Sequence, residues 1–303
     1  MDSALVADLL NEPTPAPITG RAVVHEKYDL TRVPKHPGKG WTRFVCISDT
    51  HSHVFHVPPG DVLLHAGDLC RHGTLKDLEG TLNWLKGLPH PANFMAGNHD
   101  LCLDKQYEDG GSLSTYQPYD LRSKDIAVAR KLVHSYPYRK AGMHYLEHNT
   151  ATYTAKSGKT YTIYGSPVRA LSDLVISALR VRTHSVPVQA APFYSIGAFQ
   201  YVAEDAQAIY ARIPPSVDIL MTHTPSHGVC DVTKRGKHAG CPKLAERLAH
   251  DDLKSCRLHL CGHIHEAHGV AIVGQSEQNP DGRVCVNAAM PVTPLPIIVD
   301  LKD

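Results

Sequence analysis

Short apolar runs, each ending in a turn of glycine or polar residues, recur along this chain and restrict its fold more than any other feature. They are brief, rich in β-branched residues and bounded by turn formers, which is typical of buried β-strands. Helix-like segments lie between several of them, at 75–88, 123–134, 204–212 and 241–250. Strands that alternate with helices predict a layered α/β fold. The runs read RFVCIS, DVLLHAG, ANFMAG, DILMTHT, LHLCG and GRVCVNA.

Two regions differ from this alternation. Residues 141–164 read as three short strands with an SGK hairpin turn, which predicts some antiparallel pairing and therefore a mixed sheet. Residues 1–40 are rich in proline and polar residues without a sustained period, and we expect an N-terminal arm there, followed by one domain over 41–303. Extra stretches near 109–123 and 168–192 are interpreted as cap-like insertions at the rim of a site.

The overall charge excludes some classes of partner. Lys and Arg total 31 against 30 for Asp and Glu, a net charge of +1, so no global field attracts nucleic acid or an anionic membrane. A nuclease would need a basic path to its site, and the balanced composition gives none. We also expect a cytoplasmic protein, because no run approaches 18 apolar residues and the N-terminal segment carries acid where a signal peptide needs base.

Cysteine and histidine usage points away from a structural zinc site. The eight cysteines form no CxxC pair, which argues against a zinc ribbon or a disulfide scaffold and favours buried free thiols. The 21 histidines are the unusual count, since imidazole is the commonest metal ligand among side chains. Those without a motif are expected on the surface, in the core or behind ligands: His53, His56, His65, His72, His227, His259 and His268.

Five short polar motifs follow five of the predicted strands. In open α/β sheets, ligands bind beyond the carboxyl ends of the strands, so these motifs can converge although they span more than 200 residues. Their Asp, His and Asn donors suit borderline divalent ions such as Mn, Fe or Zn better than Cu(I). The motifs are Ser48-Asp49-Thr50-His51, Gly67-Asp68, Gly97-Asn98-His99-Asp100, Thr222-His223-Thr224 and Gly262-His263-Ile264-His265.

Seven donors are too many for one mononuclear site, which indicates two metals sharing a bridging carboxylate. Asp49 and His51 are two residues apart, so on an extended segment both side chains can face the same way, and His263 and His265 repeat that spacing. The glycines directly before Asp68, Asn98 and His263 allow a tight turn and a close approach of the backbone.

These motifs, in this order, resemble the five-block signature of the calcineurin-like metallophosphoesterases over about residues 42–300. The strings GNHDLCLDKQYED, IYGSP, LMTHTPSHGVCD, LCGHIHEAHG and VCVNAA are similar to the branch of metallophosphoesterase-domain-containing proteins, which is related to class III cyclic nucleotide phosphodiesterases. The resemblance implies a four-layer α/β fold in which two mixed β-sheets pack as a sandwich flanked by helices. The string GDLCRHG lacks the GDYVDRG of Ser/Thr protein phosphatases, which disfavours a phosphoprotein substrate.

The resemblance also implies a ligand set and a reaction. Two divalent ions, Mn favoured over Fe, Zn or Mg, would lower the pKa of a shared water so that a bridging hydroxide attacks a small phosphoester such as a cyclic nucleotide. Asn98 would help neutralise the transition state, His99 would protonate the leaving oxygen, and Asp100 would orient His99. One ion would take Asp49, His51, Asp68 and His265, and the other would take Asp68, Asn98, His223 and His263.

Three alternatives stay open at this stage: a non-catalytic scaffold of the same fold, a nuclease, and a pathway enzyme that uses the same ions on a substrate without phosphate. Substrate choice is expected to depend on the second insertion and the residues after it, because Arg can bind a phosphate and an aromatic ring can stack on a base. The residues concerned are Arg169, Arg180, Arg182, His184, Phe193, Tyr194 and Phe199.

Overall fold

The computed structural model describes residues 20–108, 121–170, 197–201, 203–275 and 281–303. In these ranges the chain forms two six-stranded sheets and a two-stranded ladder. The strands are β1 (Ala22–His25), β2 (Trp41–Ile47), β3 (Val62–His65), β4 (Ala92–Met95), β5 (Met143–Leu146), β6 (Asn149–Thr154), β7 (Thr160–Ser166), β8 (Arg169–Ala170), β9 (Gln200–Tyr201), β10 (Ile219–Thr222), β11 (Leu258–Cys261), β12 (Gly269–Val273), β13 (Arg283–Asn287) and β14 (Ile297–Lys302).

The four predicted helices are confirmed, with ends that differ by at most two residues. The longest, α1, begins after Thr74, whose side chain accepts a hydrogen bond from the backbone N–H of Asp77, and it ends before Gly87. Such capping satisfies backbone groups that the first turn leaves without partners. The helices are α1 (Leu75–Lys86), α2 (Lys105–Glu108), α3 (Ser123–Leu132), α4 (Tyr136–Lys140), α5 (Ala206–Ala211) and α6 (Pro242–Ala249).

Both large sheets are mixed. The first has the order β1-β14-β2-β3-β4-β5, in which β2 to β5 are parallel and β14 is antiparallel to β1 and β2. The second has the order β12-β13-β11-β10-β7-β6, with a parallel centre and antiparallel edge strands. The predicted SGK turn joins β6 to β7, so the antiparallel pairing expected in this region is confirmed.

Successive side chains of a strand point to opposite faces, and the central strands bury both faces. In β2, Phe44 and Cys46 pack between the two sheets, whereas Val45 and Ile47 pack against α1 and α3 on the outside. The second sheet is covered in the same way by α5 and α6. The layers are therefore helix, sheet, sheet and helix, and the predicted α/β sandwich is confirmed.

Three strands of the large sheets were not predicted. β1 lies within the expected N-terminal arm, yet all four of its residues pair with β14, and Val24 is fully buried. β12 is a partly buried edge strand. β14 is buried on both faces but carries Asp300, which Arg43 binds through two hydrogen bonds of 2.7 and 2.8 Å.

Parts of the predicted insertions lie outside the described residues. These are 109–120 and 171–196, which include Arg180, Arg182, His184, Phe193 and Tyr194. Phe199 is described, and it packs beside Leu121 against a small core cluster that includes Ile126 of α3. None of the described helices combines the length and the apolar character needed to span a bilayer.

Candidate metal centre

Five loops meet at one edge of the sandwich, where the parallel strands of both sheets end. Backbone hydrogen bonds join them: Asp49 N donates to Gly67 O at 2.8 Å, and Gly262 N donates to His223 O at 3.0 Å. Asp49, His51, Asp68 and His265 each offer a ligand atom, and these four atoms lie within 4.8 Å of one another. The convergence expected from the strand ends is the arrangement found.

The first group of donors consists of Asp49, His51 and His265, whose ligand atoms lie close to the carboxylate of Asp68. The Nδ1 atom of His51 donates to the carbonyl of Cys70 at 3.3 Å, which leaves Nε2 to face Asp68 Oδ2 at 3.8 Å. The Nε2 atom of His265 lies 3.2 Å from Asp49 Oδ1. A hydrogen bond at the other ring nitrogen is how proteins orient a histidine that binds a metal.

The second group of donors consists of Asn98, His223 and His263, and it lies near the other oxygen of the Asp68 carboxylate. The Nδ1 atom of His223 donates to the carbonyl of Ala66 at 2.9 Å, and its Nε2 atom lies 3.0 Å from Asn98 Oδ1 and 3.3 Å from Asp68 Oδ1. The rings of His223 and His263 are 5.1 Å apart. Asp68 thus presents Oδ2 to the first group and Oδ1 to the second, which is the position a bridging carboxylate needs.

The charges of the site fit divalent cations. Asp49 and Asp68 are fully buried, which by itself raises the pKa of a carboxyl group, yet the neighbouring imidazoles lower both pKa values, that of Asp68 well below its usual range. Burial likewise opposes a charge on His223, but the Asp68 carboxylate outweighs it and raises the pKa of His223 to about 9. Two buried carboxylates this close require positive charge between them, and oxygen and nitrogen donors suit Mn, Fe, Zn or Mg.

The backbone reaches this arrangement in a different way from the one predicted. Asp49 and His51 have φ of 55° and 46°, so the segment is left-handed and not extended, and Asp68 and His263 have φ of 56° and 69°. Left-handed backbone is strained for residues other than glycine. Long-range hydrogen bonds hold it here: His51 N donates to Asp68 O at 3.0 Å, and His263 N donates to both oxygens of Asp49 at 3.1 and 3.0 Å.

The glycines of the motifs permit close approach, as predicted. A β-carbon on Gly97 would lie 2.5 Å from the backbone nitrogen of Asp68 and 2.6 Å from Cε1 of His223. A β-carbon on Gly262 would collide with the side chains of Asp49 and Ser48. At both positions the ligands occupy the space that any larger residue would fill.

His99 lies at the exposed rim of the site. Its Nδ1 atom donates to the carbonyl of Arg71 at 3.1 Å, its backbone N–H donates to Asp68 Oδ1 at 2.8 Å, and its ring is 4.5 Å from the ring of His51. The imidazole is therefore fixed at one nitrogen, and Nε2 remains for a bound substrate.

Asp100 does not orient His99 in the way predicted. Its buried carboxylate accepts three backbone hydrogen bonds, from Leu69 at 3.1 Å, Cys70 at 2.7 Å and Gly97 at 2.7 Å. Asp100 and His99 are neighbours along a turn, and their side chains bind different partners. Asp100 is a positioning residue that ties the loop after β3 to the loop after β4.

Two buried histidines and one loop support the site, although none of the five sequence motifs includes them. His65 lies 2.9 Å from the hydroxyl of Thr50, and His259 lies 2.8 Å from that of Thr222, so each ring braces a residue next to a ligand. A histidine inside an apolar strand is the sequence signal in both cases. The loop 224–241 runs from His223 along the rim, and its only signal is the basic string VTKRGKH.

Comparison with known proteins agrees with this geometry. The sequence model of the calcineurin-like phosphoesterase family matches residues 42–267. Human metallophosphoesterase domain-containing protein 1 is 32% identical over 278 residues, which cover 88% of this chain and 73% of the human protein, and the mouse protein of that name gives the same values. One solved structure superposes with a TM-score of 0.50 at 13% identity, over 82% of this chain and 90% of its own. The chain belongs to the calcineurin-like phosphoesterase family and is an enzyme that hydrolyses phosphoric esters.

Proposed function

We propose that this enzyme is a dinuclear-metal phosphodiesterase that acts on a small phosphoester, with cyclic nucleotides as the first substrates to test. The observation that carries the proposal is the position of Asp68. Its two carboxylate oxygens face two separate groups of donors, one with His51 and one with His223 and Asn98. A single ion would leave one of these groups without a function.

The donors divide between the two ions as the family resemblance implies, with Mn as the preferred metal. When bound, the metals supply an activated water as nucleophile and positive charge for the phosphoryl oxygens. One ion would be held by Asp49, His51, Asp68 and His265, and the other by Asp68, Asn98, His223 and His263.

The general acid is His99. Its Nδ1 proton is engaged by Arg71 O, so Nε2 is the nitrogen that gives a proton to the leaving oxygen of the ester. The backbone N–H of His99 also binds Asp68 Oδ1, which fixes the distance between the acid and the bridging ligand. A proton donor matters most for a poor leaving group such as an alkoxide, which is why a natural alkyl phosphoester fits this arrangement.

The test combines metal content with turnover. Purified protein loaded with Mn is expected to hold about two metals per chain by elemental analysis and to hydrolyse bis(p-nitrophenyl) phosphate and a cyclic nucleotide faster than p-nitrophenyl phosphate. His99→Ala should lower kcat for the cyclic nucleotide, whose leaving group is an alkoxide, by a factor of roughly 10²–10⁴ with its metal content retained. His72→Ala is the matched control, because His72 is an exposed histidine on the neighbouring loop.

Three results would count against the proposal. One metal per chain at saturation would contradict the bridging role of Asp68. Metal-loaded protein that hydrolyses neither diesters nor monoesters would favour a scaffold or a substrate without phosphate. An equal loss of activity in His72→Ala and His99→Ala would remove His99 from the mechanism.

We further propose that the enzyme works in the cytoplasm. All eight cysteines are free thiols and seven of them are buried, which suits a reducing compartment. Imaging of a tagged full-length chain tests this, and secretion into the medium would contradict it.

A further inference from the structure

Residues 232–238, here called the basic hairpin, form a small turn at the rim of the metal centre. Val232 pairs with His238, Thr233 N donates to Lys237 O at 2.9 Å, and Gly236 N donates to Thr233 O at 2.8 Å. Lys234, Arg235 and Lys237 are exposed, and the hairpin contains no acidic residue. In a chain whose net charge is +1, this is a local concentration of positive charge.

The hairpin is fixed in place by a buried carboxylate at its base. Asp231 is fully buried and accepts hydrogen bonds from the backbone of Gly228 at 3.0 Å, the backbone of Gly240 at 3.0 Å and Nδ1 of His238 at 2.7 Å. These three bonds bind both ends of the loop to one side chain. The rings of His227 and His238 lie 5.3 Å apart on its outer side, and both side chains are half-exposed.

Two further contacts tie the hairpin to the metal ligands. The side-chain amide of Asn287 donates to Cys230 O and to Ile264 O, both at 3.0 Å, and Ile264 lies between His263 and His265. The backbone N–H of Lys234 donates to Glu266 Oε1 at 2.6 Å, directly after His265. The backbone of the hairpin is therefore bonded to the residue that directly follows His265.

Little of the positive charge of the hairpin is neutralised within the described residues, although the charge of Lys234 helps to lower the pKa of Glu266. Within the described part of the chain, no ion pair is formed by the side chain of Lys234, Arg235 or Lys237. The carboxylate of Glu266 accepts a hydrogen bond from the backbone N–H of Lys234. Exposed cations beside a site that binds phosphate attract anions strongly.

We propose that the basic hairpin binds a second phosphate of the substrate, so that the preferred substrates are small phosphodiesters that also carry a phosphate monoester. The inference rests on the proposed function, because the metals must hold the scissile diester while the hairpin holds the other phosphate. The guanidinium of Arg235 can bind a phosphate through two hydrogen bonds, and Lys234 and Lys237 add point charges.

The test compares two esters that differ by one phosphate. Thymidine 5′-(p-nitrophenyl phosphate) and the same ester with a 3′-phosphate release the same chromophore, so the ratio of their kcat/KM values isolates the second phosphate. The wild-type enzyme is expected to favour the 3′-phosphorylated ester about tenfold. The preference should vanish when salt is raised until the screening length falls from about 30 Å to about 3 Å.

Matched variants distinguish the effect of the hairpin from the effect of the protein's overall charge. The triple variant Lys234→Ala, Arg235→Ala and Lys237→Ala should hydrolyse both esters at nearly equal kcat/KM and keep the wild-type value for the ester without the 3′-phosphate. The pair Lys234→Arg and Lys237→Arg should keep the preference. A control triple variant replaces Lys86, Lys140 and Lys254 with Ala, which removes the same charge at the opposite edge of the sheets, where strands begin. This control should keep the preference for the 3′-phosphorylated ester.

Binding measurements cover the case in which neither ester is hydrolysed. Calorimetry with Mn-loaded protein compares thymidine 3′,5′-bisphosphate with thymidine 5′-monophosphate. If the wild type prefers the bisphosphate and the hairpin variant does not, the hairpin does bind a second phosphate, and the absence of hydrolysis counts against the proposed function alone. Equal affinity of the wild type for both ligands, or an unchanged preference in the hairpin variant, would overturn it. A hairpin variant that loses binding only to a long oligonucleotide would overturn it too, in favour of a nucleic-acid surface.

Discussion

Replacing Gly97 with Ala should disable the metal centre by a movement of about 1 Å. The new β-carbon would lie 2.5 Å from Asp68 N and 2.6 Å from His223 Cε1, whereas ordinary contacts begin at 3.4 Å. Both neighbours belong to ligand residues, and one of them is a backbone atom that cannot turn away. The loop after β4 must therefore move away from Asp68, and the distance between Asn98 and the bridging carboxylate increases.

Two magnitudes follow from this displacement. Overpacking of a close-packed region costs about 1–3 kcal/mol of unfolding free energy. A misplacement of about 1 Å at an active site can lower kcat/KM about 100-fold, because reacting groups must be held to within roughly 0.5 Å. We expect the variant to bind its second metal weakly, so that excess Mn restores only part of the activity.

The matched control is Gly80→Ala in the middle of α1. A β-carbon there meets nothing within 4 Å, and alanine is the better helix former by about 0.5–1 kcal/mol, so this variant should be slightly more stable and fully active. Urea denaturation, elemental analysis and hydrolysis of bis(p-nitrophenyl) phosphate are measured for both. If Gly97→Ala holds two metals and keeps the wild-type kcat/KM, the loops are more tolerant than the contacts indicate, and the reasoning is refuted.

Three further perturbations test other parts of the structure. Asp100→Ala should lower the unfolding free energy by about 3–5 kcal/mol, because three backbone N–H groups lose their acceptor; a change below 1 kcal/mol in urea denaturation would argue against the bracing role. Removal of metal by a chelator should lower Tm, and Mn at about 100 times its Kd should return about 2.7 kcal/mol of stability, an effect that Asp68→Ala should abolish in calorimetry. Arg43→Ala should cost about 3–5 kcal/mol without changing metal content. Burial raises the pKa of Asp300, but Arg43 and His25 have the larger opposite effect, so the pKa lies below its usual value. The stability that this pair contributes is therefore present above about pH 4 and is lost as pH falls through the depressed pKa. Arg43→Ala should lose this acid-sensitive part, and an unchanged pH profile of unfolding would contradict the assignment.

The strands that could be predicted are those whose burial appears as an unbroken apolar run. β10 is an example, since all four of its residues are buried, and so is the second half of β2, the buried apolar run at 44–47. β14 escapes this criterion because Asp300 interrupts its run, and only the structure shows that Arg43 on the neighbouring strand compensates the charge. β1 escapes because its four residues pair with the far end of the chain, and no local pattern reports such a partner.

The ligand types of the site could be predicted, but the shape of its loops could not. Asp and His at strand ends, in five separate motifs, indicate a shared site because metal chemistry requires those donors. The left-handed backbone of Asp49 and Asp68 depends on hydrogen bonds between loops, such as that from Asp49 N to Gly67 O, and these partners are distant in the sequence. The predicted extended geometry was therefore wrong, although the side chains do meet.

Asp100 shows why adjacency in a motif is a poor guide to contact. In Gly97-Asn98-His99-Asp100 the chain turns sharply. The side chain of Asn98 reaches His223, the side chain of His99 lies at the exposed rim, and the side chain of Asp100 is buried beneath the loop. By accepting hydrogen bonds from Gly97 and from Leu69 and Cys70, the Asp100 carboxylate sets the spacing between the loop that carries Asn98 and the loop that carries Asp68. The distance between a bridging ligand and its neighbour is thus controlled by a group that is buried below both, and a change there should alter metal binding before it alters the protonation step at His99.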